Sequence, residues 1–386
     1  MERRLRIGLF IDTYFPMVDG VIMVVDNYAR RLTKIADVTV FAPKVPEKEY
    51  DDSGLPYRVV RCKSIPLSFM DYALPMPDFD REFKRALKEA DLDIVHIHSP
   101  ATIGKMALNY AKKHHIPAIA TMHSQYKQDF KRAVKAEWLA KAMTNRLMKF
   151  FDQCTECWAV NSEIARIFYE EYGYKELPKV MGNATDMLPL ENTELSNKEI
   201  DEKYGIAPGE KVFLFVGRLN ILKNILFIVD SLKIVKEHGV KFKMLFVGNG
   251  QDEEALREKI KEDGLEKEVV LCGRVMDREL MAKIYSRADL FLFPSLYDAS
   301  SLVQVEAASQ KTPTIFIEGA ATSATVTNEV NGIIAPNSPL AYAKSIEKMV
   351  SDKEYYHRIS EGAFRDLYRN WDKVTEDVYK QYVALL

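Results

Sequence analysis

Phe291-Leu-Phe-Pro-Ser-Leu-Tyr-Asp-Ala-Ser-Ser-Leu-Val-Gln-Val-Glu-Ala-Ala-Ser309 is the stretch from which the fold of this chain can be read. It opens on a continuous apolar run, Asp289 to Phe293, as a parallel strand buried on both faces displays. Pro294 and Ser295 end that strand. After a polar loop, Ser301 stands where a helix N-cap belongs, with Gln304 three residues on to complete a capping box. A helix starting there points the amides of Leu302, Val303 and Gln304 past the carboxyl end of the strand. Free amides plus the helix dipole make an anion site, and phosphate is its usual occupant. Asp298 lies in the loop and Glu306 about one turn into the helix. Carboxylates beside a phosphate site suit the hydroxyl groups of a ribose or a hexose.

The rest of the chain supplies the frame for such a site. Its 386 residues allow two domains, each with a core, and 47 % hydrophobic with 28 % charged residues describes an ordinary globular protein. No apolar run approaches the roughly 20 residues of a membrane span. Ile7 to Ile11 is too short for a signal-peptide core and is expected to form a first buried strand. Four cysteines make no disulfide scaffold, which fits a reducing cytosol. Cys154-Thr-Glu-Cys157 matches Cys-x-x-Cys, but Cys62 and Cys272 are isolated, so buried thiols are expected there. No nucleic-acid partner is expected.

Short buried strands are expected at Leu5–Ile11, Val38–Phe41, Tyr57–Arg61, Asp93–His98, Ala118–Met122 and Cys157–Val160, with helices over 21–34, 79–90, 102–114, 127–151 and 162–172 between them. A second set follows at Lys211–Val216, Phe242–Val247, Val269–Leu271, Asp289–Phe293, Thr314–Ile317 and Ile333–Ala335. Strands alternating with helices imply an α/β chain with two Rossmann-like, doubly wound parallel sheets, 1–185 and 186–365, and ligands at the carboxyl ends of strands. Residues 182–200, polar and turn-rich, resemble a hinge. The chain ends in helical pattern from Tyr355 onward, with 366–386 as its closing segment.

Strand ends carry the candidate chemistry. Gly217-Arg218 closes one strand, and Lys223-Asn224 follows five residues on. A guanidinium fork and an ammonium point charge together suit a diphosphate. Gly248-Asn-Gly250 lacks the third glycine of a dinucleotide fingerprint. His123 falls immediately after the strand ending at Met122. His96 and His98 share one face of their strand, His96 as a core residue and His98 nearer the carboxyl end. Asp91-Leu-Asp93 formally matches a metal-binding Asp-x-Asp but precedes its strand, at the wrong end for a ligand. No metal cluster is visible, so no metal or other cofactor is expected.

The acid-x7-acid spacing after Pro-Ser, the Gly217-Arg218…Lys223-Asn224 turn and the capped helix together resemble the retaining glycosyltransferases of family 4, which have the GT-B fold. The resemblance covers nearly the whole chain. It implies a nucleotide-sugar donor whose ribose hydroxyls are held by Glu306 and whose diphosphate is held by Arg218, Lys223 and the amides behind Ser301, Leu302 and Val303. It places Asp298 at the sugar end, Val275 at the base, Gly20 and Gly217 near the phosphates, and His123 at the donor sugar. It also implies that the last helix crosses back to the first domain. The sequence departs from the family pattern in having Asp298 instead of Glu, and Ala299-Ser300-Ser301 where a glycine-rich turn is usual.

Residues 127–149 hold seven basic and two acidic side chains. Tyr126, Phe130, Val134, Trp138, Leu139, Met143 and Leu147 interleave with them at helical spacing. Lys131, Arg132, Lys135 and Trp138 therefore mark an element able to lie on an anionic membrane surface, or a domain helix with a solvated basic face. Thr-Met-His-Ser-Gln-Tyr followed by this segment is similar to the glycolipid-making members, especially diacylglycerol glucosyltransferases, and implies hexose transfer from a donor such as UDP-glucose to a lipid acceptor at the inner face of the cell membrane. Three alternatives stay open: a soluble sugar or growing polysaccharide as acceptor, a nucleotide-sugar epimerase or hydrolase, and a binding protein without catalysis.

Overall fold

A computed structural model describes residues 3–46, 50–66, 73–134 and 136–386. Lys135 lies outside the described residues. The chain forms two compact units, Met1–Gly182 with Trp371–Leu386, and Asn183–Asn370. The returning segment thus begins at Trp371, not at 366.

The first unit contains β1 (Arg6–Phe10), β2 (Asp37–Pro43), β3 (Arg58–Cys62), β4 (Ser64–Pro66), β5 (Ala73–Pro75), β6 (Ile94–Ile97), β7 (Ala118–Met122), β8 (Glu156–Ala159) and β9 (Lys179–Val180). Seven of these form a parallel sheet in the order β3-β2-β1-β6-β7-β8-β9, while β4 and β5 make a separate antiparallel pair. The second unit contains β10 (Lys211–Val216), β11 (Phe242–Val247), β12 (Val269–Gly273), β13 (Leu290–Leu292), β14 (Thr314–Ile317) and β15 (Ile333–Ala335). They form a parallel sheet in the order β12-β11-β10-β13-β14-β15. Each sheet grows outward from its first strand, then crosses over and grows the other way. That is the doubly wound order expected from the alternation of strands and helices.

The apolar runs that announced the strands are buried as parallel strands require. Ile7, Leu9 and Phe10 fill the first sheet, and Val212–Phe215 with Leu290–Phe293 fill the second. Asp12, just past β1, reaches sideways to cap the helix Thr102–His114: its carboxylate accepts from the Thr102 hydroxyl at 2.8 Å and the Ile103 amide at 2.9 Å. Ala101, at the cap position, has no side-chain oxygen of its own to do so.

Three local expectations change. The helix expected over 127–151 is two helices, Tyr126–Val134 and Glu137–Phe151, with Ala136 extended at the start of the second. No glycine or proline announces that break. The helix Ser162–Arg166 continues as a π turn over Ile167–Glu171. The stretch 182–200, read as a hinge, contains most of the helix Thr193–Tyr204, whose one fully buried side chain is Ile200. A helix that buries so little looks like a loop in composition.

Within the first unit, the last helix, Trp371–Ala384, packs against the N-terminal helix Gly20–Leu32. Trp371 is 1 % exposed and meets Tyr28 edge-on at 5.5 Å, Arg31 pairs with Asp372 at 2.8 Å, and the Tyr382 hydroxyl meets His96 Nδ1 at 2.6 Å. Trp371→Ala is expected to destabilise this unit by about 3–5 kcal/mol, the scale for emptying a buried aromatic site. Trp138→Ala, at a side chain 74 % exposed, should shift stability by less than about 0.5 kcal/mol. Urea unfolding followed by circular dichroism on both variants checks the contrast.

Candidate functional site

In the second unit the crossover between β10 and β13 is where the two directions of winding part, and loops at such a point leave a crevice at the strand ends. Gly217 and Arg218 follow β10, and Pro294 to Ser301 follow β13. The two loops are stitched together. Asn224, in the left-handed conformation at φ 60°, donates from its side chain to the Pro294 carbonyl at 3.2 Å. Asn220 accepts from the Lys223 amide at 3.1 Å and so closes the short turn Ile221–Lys223. Lys223 makes an ion pair with Asp298, and both side chains are largely buried. Arg218 is exposed, with no ion pair among the described residues.

Gly248 and Gly250 serve packing. A Cβ at Gly248 would sit 1.9 Å from the Gly217 carbonyl oxygen, and one at Gly250 would sit 2.1 Å from that of Leu219. The turn after β11 therefore lies flat against the turn carrying Arg218, which explains two glycines without a fingerprint. Gly20 differs: it opens the helix Gly20–Leu32 behind the Asp19 cap, and a Cβ there would meet no protein atom within 4 Å.

The helix after β13 runs Leu302–Ser309, with Ser301 extended at the cap position. The capping box does not form. Ser301 makes no side-chain cap bond, and Gln304 donates instead to the Thr325 hydroxyl at 2.8 Å. Ser301 therefore leaves the first amides of the helix without a side-chain cap.

Glu306, buried, has both oxygens engaged. Arg278 donates to Oε1 at 2.7 Å and the Tyr285 hydroxyl donates to Oε2 at 3.0 Å, while Arg278 also reaches Asp186 at 2.5 Å. Burial, and then the charge of Glu306, push the Tyr285 hydroxyl well above its usual value, so it remains a donor. Arg278, Tyr285 and Asp186 escaped the sequence reading because their meeting depends on tertiary contacts for which no short motif exists. Val275 sits in the turn between β12 and the helix Arg278–Arg287, partly buried against the core.

In the first unit, His123 follows β7 and His98 follows β6, and their rings meet at 3.1 Å between His98 Nδ1 and His123 Nε2. Burial lowers His123 to about 3, so its imidazole is neutral near pH 7. His96 is a satisfied core histidine, Nε2 meeting the Thr121 hydroxyl at 2.7 Å and Nδ1 meeting Tyr382. Asp91 and Asp93 are engaged by Arg6, at the amino end of β6. Cys154 and Cys157 are buried free thiols. Among the described residues, no group of three or more His, Cys, Asp and Glu is placed to hold a metal ion.

The basic segment is rearranged relative to the expected stripe. Ala140, Thr144, Leu147, Met148 and Phe151 face the core, and Tyr126 packs its ring near Phe151 and Phe168. Trp138 alone of the stripe stands well exposed. Lys131 is paired with Glu137 at 2.9 Å, and Arg132 lies 4.0 Å from Asp129. Lys141, Arg146 and Lys149 are exposed, with no ion pair among the described residues. An open trough of about 640 Å³ lies beside them, with Lys105, Arg146 and Lys149 around Phe130, Met143 and Phe150. No helix among the described residues is long and apolar enough to cross a membrane.

Comparison with known proteins agrees with this architecture. The Glycosyltransferase Family 4 profile matches residues 18–187, and the profile for glycosyl transferases group 1 matches residues 196–366. The chain is 28 % identical over 318 residues to an alpha-monoglucosyldiacylglycerol synthase of Streptococcus pneumoniae, covering 81 % of this chain and 70 % of that protein. It is 24 % identical over 344 residues to the synthase of the same name from Acholeplasma laidlawii, covering 85 % and 84 %. Among solved structures, Anabaena HepE in complex with UDP has a TM-score of 0.79 at 15 % identity, covering 99 % of this chain and all of that one. Sucrose-phosphate synthase from Thermosynechococcus elongatus has a TM-score of 0.77 at 17 % identity, covering 99 % of each. Two Rossmann-like sheets in GT-B style, with one family profile on each, make this chain a glycosyltransferase enzyme belonging to family 4.

Proposed function

We propose that the chain is a retaining hexosyltransferase that moves glucose or a similar hexose from a UDP-hexose to a membrane-lipid acceptor such as diacylglycerol. The observation that carries the donor half is the convergence of Arg218, Lys223 and a helix N-terminus that Ser301 does not cap on the ends of the adjoining strands β10 and β13. Two cations and oriented amides are what a departing diphosphate needs, because the charge that develops on it dominates the barrier. Supporting the acceptor half are the names of the two bacterial relatives and the exposed Trp138, Lys141, Arg146 and Lys149 on one helix.

In this reading the bond from the anomeric carbon to the diphosphate oxygen breaks, and Arg218 and Lys223 take up the charge on the leaving group. The acceptor hydroxyl attacks from the face the diphosphate leaves, and its proton passes to a departing phosphate oxygen. Asp298 orients Lys223 through their ion pair. Glu306 holds the ribose hydroxyls, and Gly20 leaves room for the phosphates. Val275 lies beside the base, and His123 hydrogen-bonds the sugar. The group transferred keeps its anomeric configuration.

Arg218→Ala and Lys223→Ala are each expected to cut turnover about 10²–10³-fold, the scale for one lost transition-state donor. Steady-state assays with UDP-glucose and diacylglycerol in mixed micelles check this, and activity within a few-fold of wild type for both would remove the diphosphate assignment.

Turnover is expected to persist in EDTA, because Arg218, Lys223 and the helix amides supply the positive field that a divalent ion supplies elsewhere. Loss of activity restored by magnesium or manganese would contradict this.

Reversing Lys141, Arg146 and Lys149 to Glu should abolish co-sedimentation with anionic vesicles at low salt and leave UDP binding unchanged. Each basic residue contributes only about 1 kcal/mol near the surface, within a screening length of about 10 Å at 0.1 M salt. Wild-type protein that stays in the supernatant at low salt would favour a soluble sugar or a growing glycan as acceptor.

A further inference from the structure

His98 is a buried histidine for which the reaction has no task, and its two ring nitrogens have unequal surroundings. Nδ1 lies 3.1 Å from His123 Nε2. Nε2 is buried and has no hydrogen-bond partner among the described residues. The neighbouring His96, by contrast, has both nitrogens engaged by hydroxyl groups, which can turn to donate or accept as needed.

Two facing imidazole nitrogens can share one hydrogen bond only if one of them carries the proton. Burial lowers both rings, which keeps the pair neutral and fits one proton per ring. If His98 accepted, its own proton would sit on Nε2, as a buried N–H with nothing to receive it. If His98 donates, Nε2 is left as a bare lone pair. Buried N–H groups without acceptors are rarer in folded proteins than incompletely satisfied acceptors. Donation by His98 is therefore the favoured arrangement, and it has a consequence one ring further on. With Nε2 used as an acceptor, His123 must carry its proton on Nδ1.

We propose that His98 is a positioning residue that locks His123 in its Nδ1–H form, so that His123 meets the transferred sugar as a hydrogen-bond donor of fixed polarity. The proposal rests on the placement of His123 at the donor sugar. A donor aimed at a hydroxyl oxygen of the hexose fixes which lone pair that oxygen offers, and so helps set how the ring lies as its bond to the diphosphate breaks. Tyr28, with its ring centroid 5.9 Å from that of His98, and the His96 ring at 4.1 Å confine the His98 side chain. Which tautomer a histidine presents is commonly set by the partner of its other nitrogen.

The test reads the tautomer directly. Ring-nitrogen NMR on ¹⁵N-histidine-labelled full-length protein, assigned with His123→Gln, should show the Nδ1–H form for His123 in wild type. In His98→Leu the donor is gone, and the Nε2–H form that free imidazole side chains prefer should emerge. In His98→Asn the amide nitrogen lies close to where Nδ1 was, and the wild-type pattern should return. Alongside, kcat with UDP-glucose should fall about 10–100-fold in His98→Leu and recover in His98→Asn, as for other residues that orient a functional group. KM for the nucleotide sugar and the affinity for UDP should stay near wild type. An Nε2–H form in wild type, or an unchanged His123 tautomer in His98→Leu, would overturn the proposal. If His98→Leu does not fold, wild type and His98→Asn still decide, since both must show the Nδ1–H form. The NMR needs neither donor nor acceptor, so its outcome is separate from the assignment of the reaction. A normal tautomer result without transferase activity would count against the proposed function, not against the histidine pair.

Discussion

A parallel strand buried on both faces cannot turn back beside itself, and this constraint organises the whole chain. Every crossover must carry the chain back to the end of the sheet where the strands begin, most often as a helix over one face. All carboxyl ends in one sheet therefore emerge on one side, and many are followed by a turn into a helix whose first amides have no partner within the helix. Where the winding reverses, between β1 and β6 and again between β10 and β13, neighbouring strands send their helices to opposite faces. The loops there part and leave room for a ligand. Gly20, His98, Arg218, Lys223, Asp298 and the start of the helix Leu302–Ser309 all follow from that geometry. Their chemistry is specific to this chain, but their address is set by the sheet.

Within that address, much of the charge is already balanced by protein partners. Lys223 holds Asp298, and Arg278 with Tyr285 holds Glu306. A buried carboxylate with no partner is costly, and leaving one uncompensated would cost several kcal/mol. The exposed Arg218 is the exception, and exposure makes its lack of an ion partner inexpensive. The same logic accounts for the basic helix Glu137–Phe151, where Lys141, Arg146 and Lys149 can remain uncompensated because water solvates them. A surface that keeps such charges unpaired attracts anions at range, whereas the paired Lys131 contributes little.

Much of this was legible in the sequence. The strands were visible because double-sided burial demands unbroken apolar runs such as Val212–Phe215 and Phe291–Phe293. The fold followed from their alternation with helices. The loops at strand ends were legible for the same reason, since Gly217-Arg218 and Pro294-Ser295 punctuate those runs. Side-chain partnerships were not. Ser301 and Gln304 have the spacing of a capping box, yet in the folded chain the Gln304 side chain turns to donate to the Thr325 hydroxyl. Arg278 and Tyr285 carry no short motif that ties them to Glu306, 28 and 21 residues further on. Their meeting is tertiary: Glu306 lies where the buried Tyr285 and the half-exposed Arg278 can both reach it. The membrane stripe failed in detail for a related reason. Helical spacing shows that Leu147 and Trp138 alternate with cations, but it cannot say which face the rest of the unit will cover.

The arrangement around Glu306 suggests how a carboxylate can be held in place before its ligand arrives and still be available to it. Tyr285 is buried and contributes one hydrogen bond that a ligand need not displace, since a carboxylate accepts on several lone pairs. Arg278 is about half exposed and already divides itself between Glu306 and Asp186. If ribose hydroxyls claim the outer lone pairs of Oε1, the guanidinium can shift its weight to Asp186 without either charge being stranded. The exchange substitutes one set of hydrogen bonds for another, so little net electrostatic work is needed on entry or release. A buried aspartate or glutamate gripped by two fixed cations would lack that freedom. Under the proposed role of Glu306, the half-exposed arginine, shared with a half-exposed partner, would reconcile a preorganised carboxylate with reversible binding of the nucleotide.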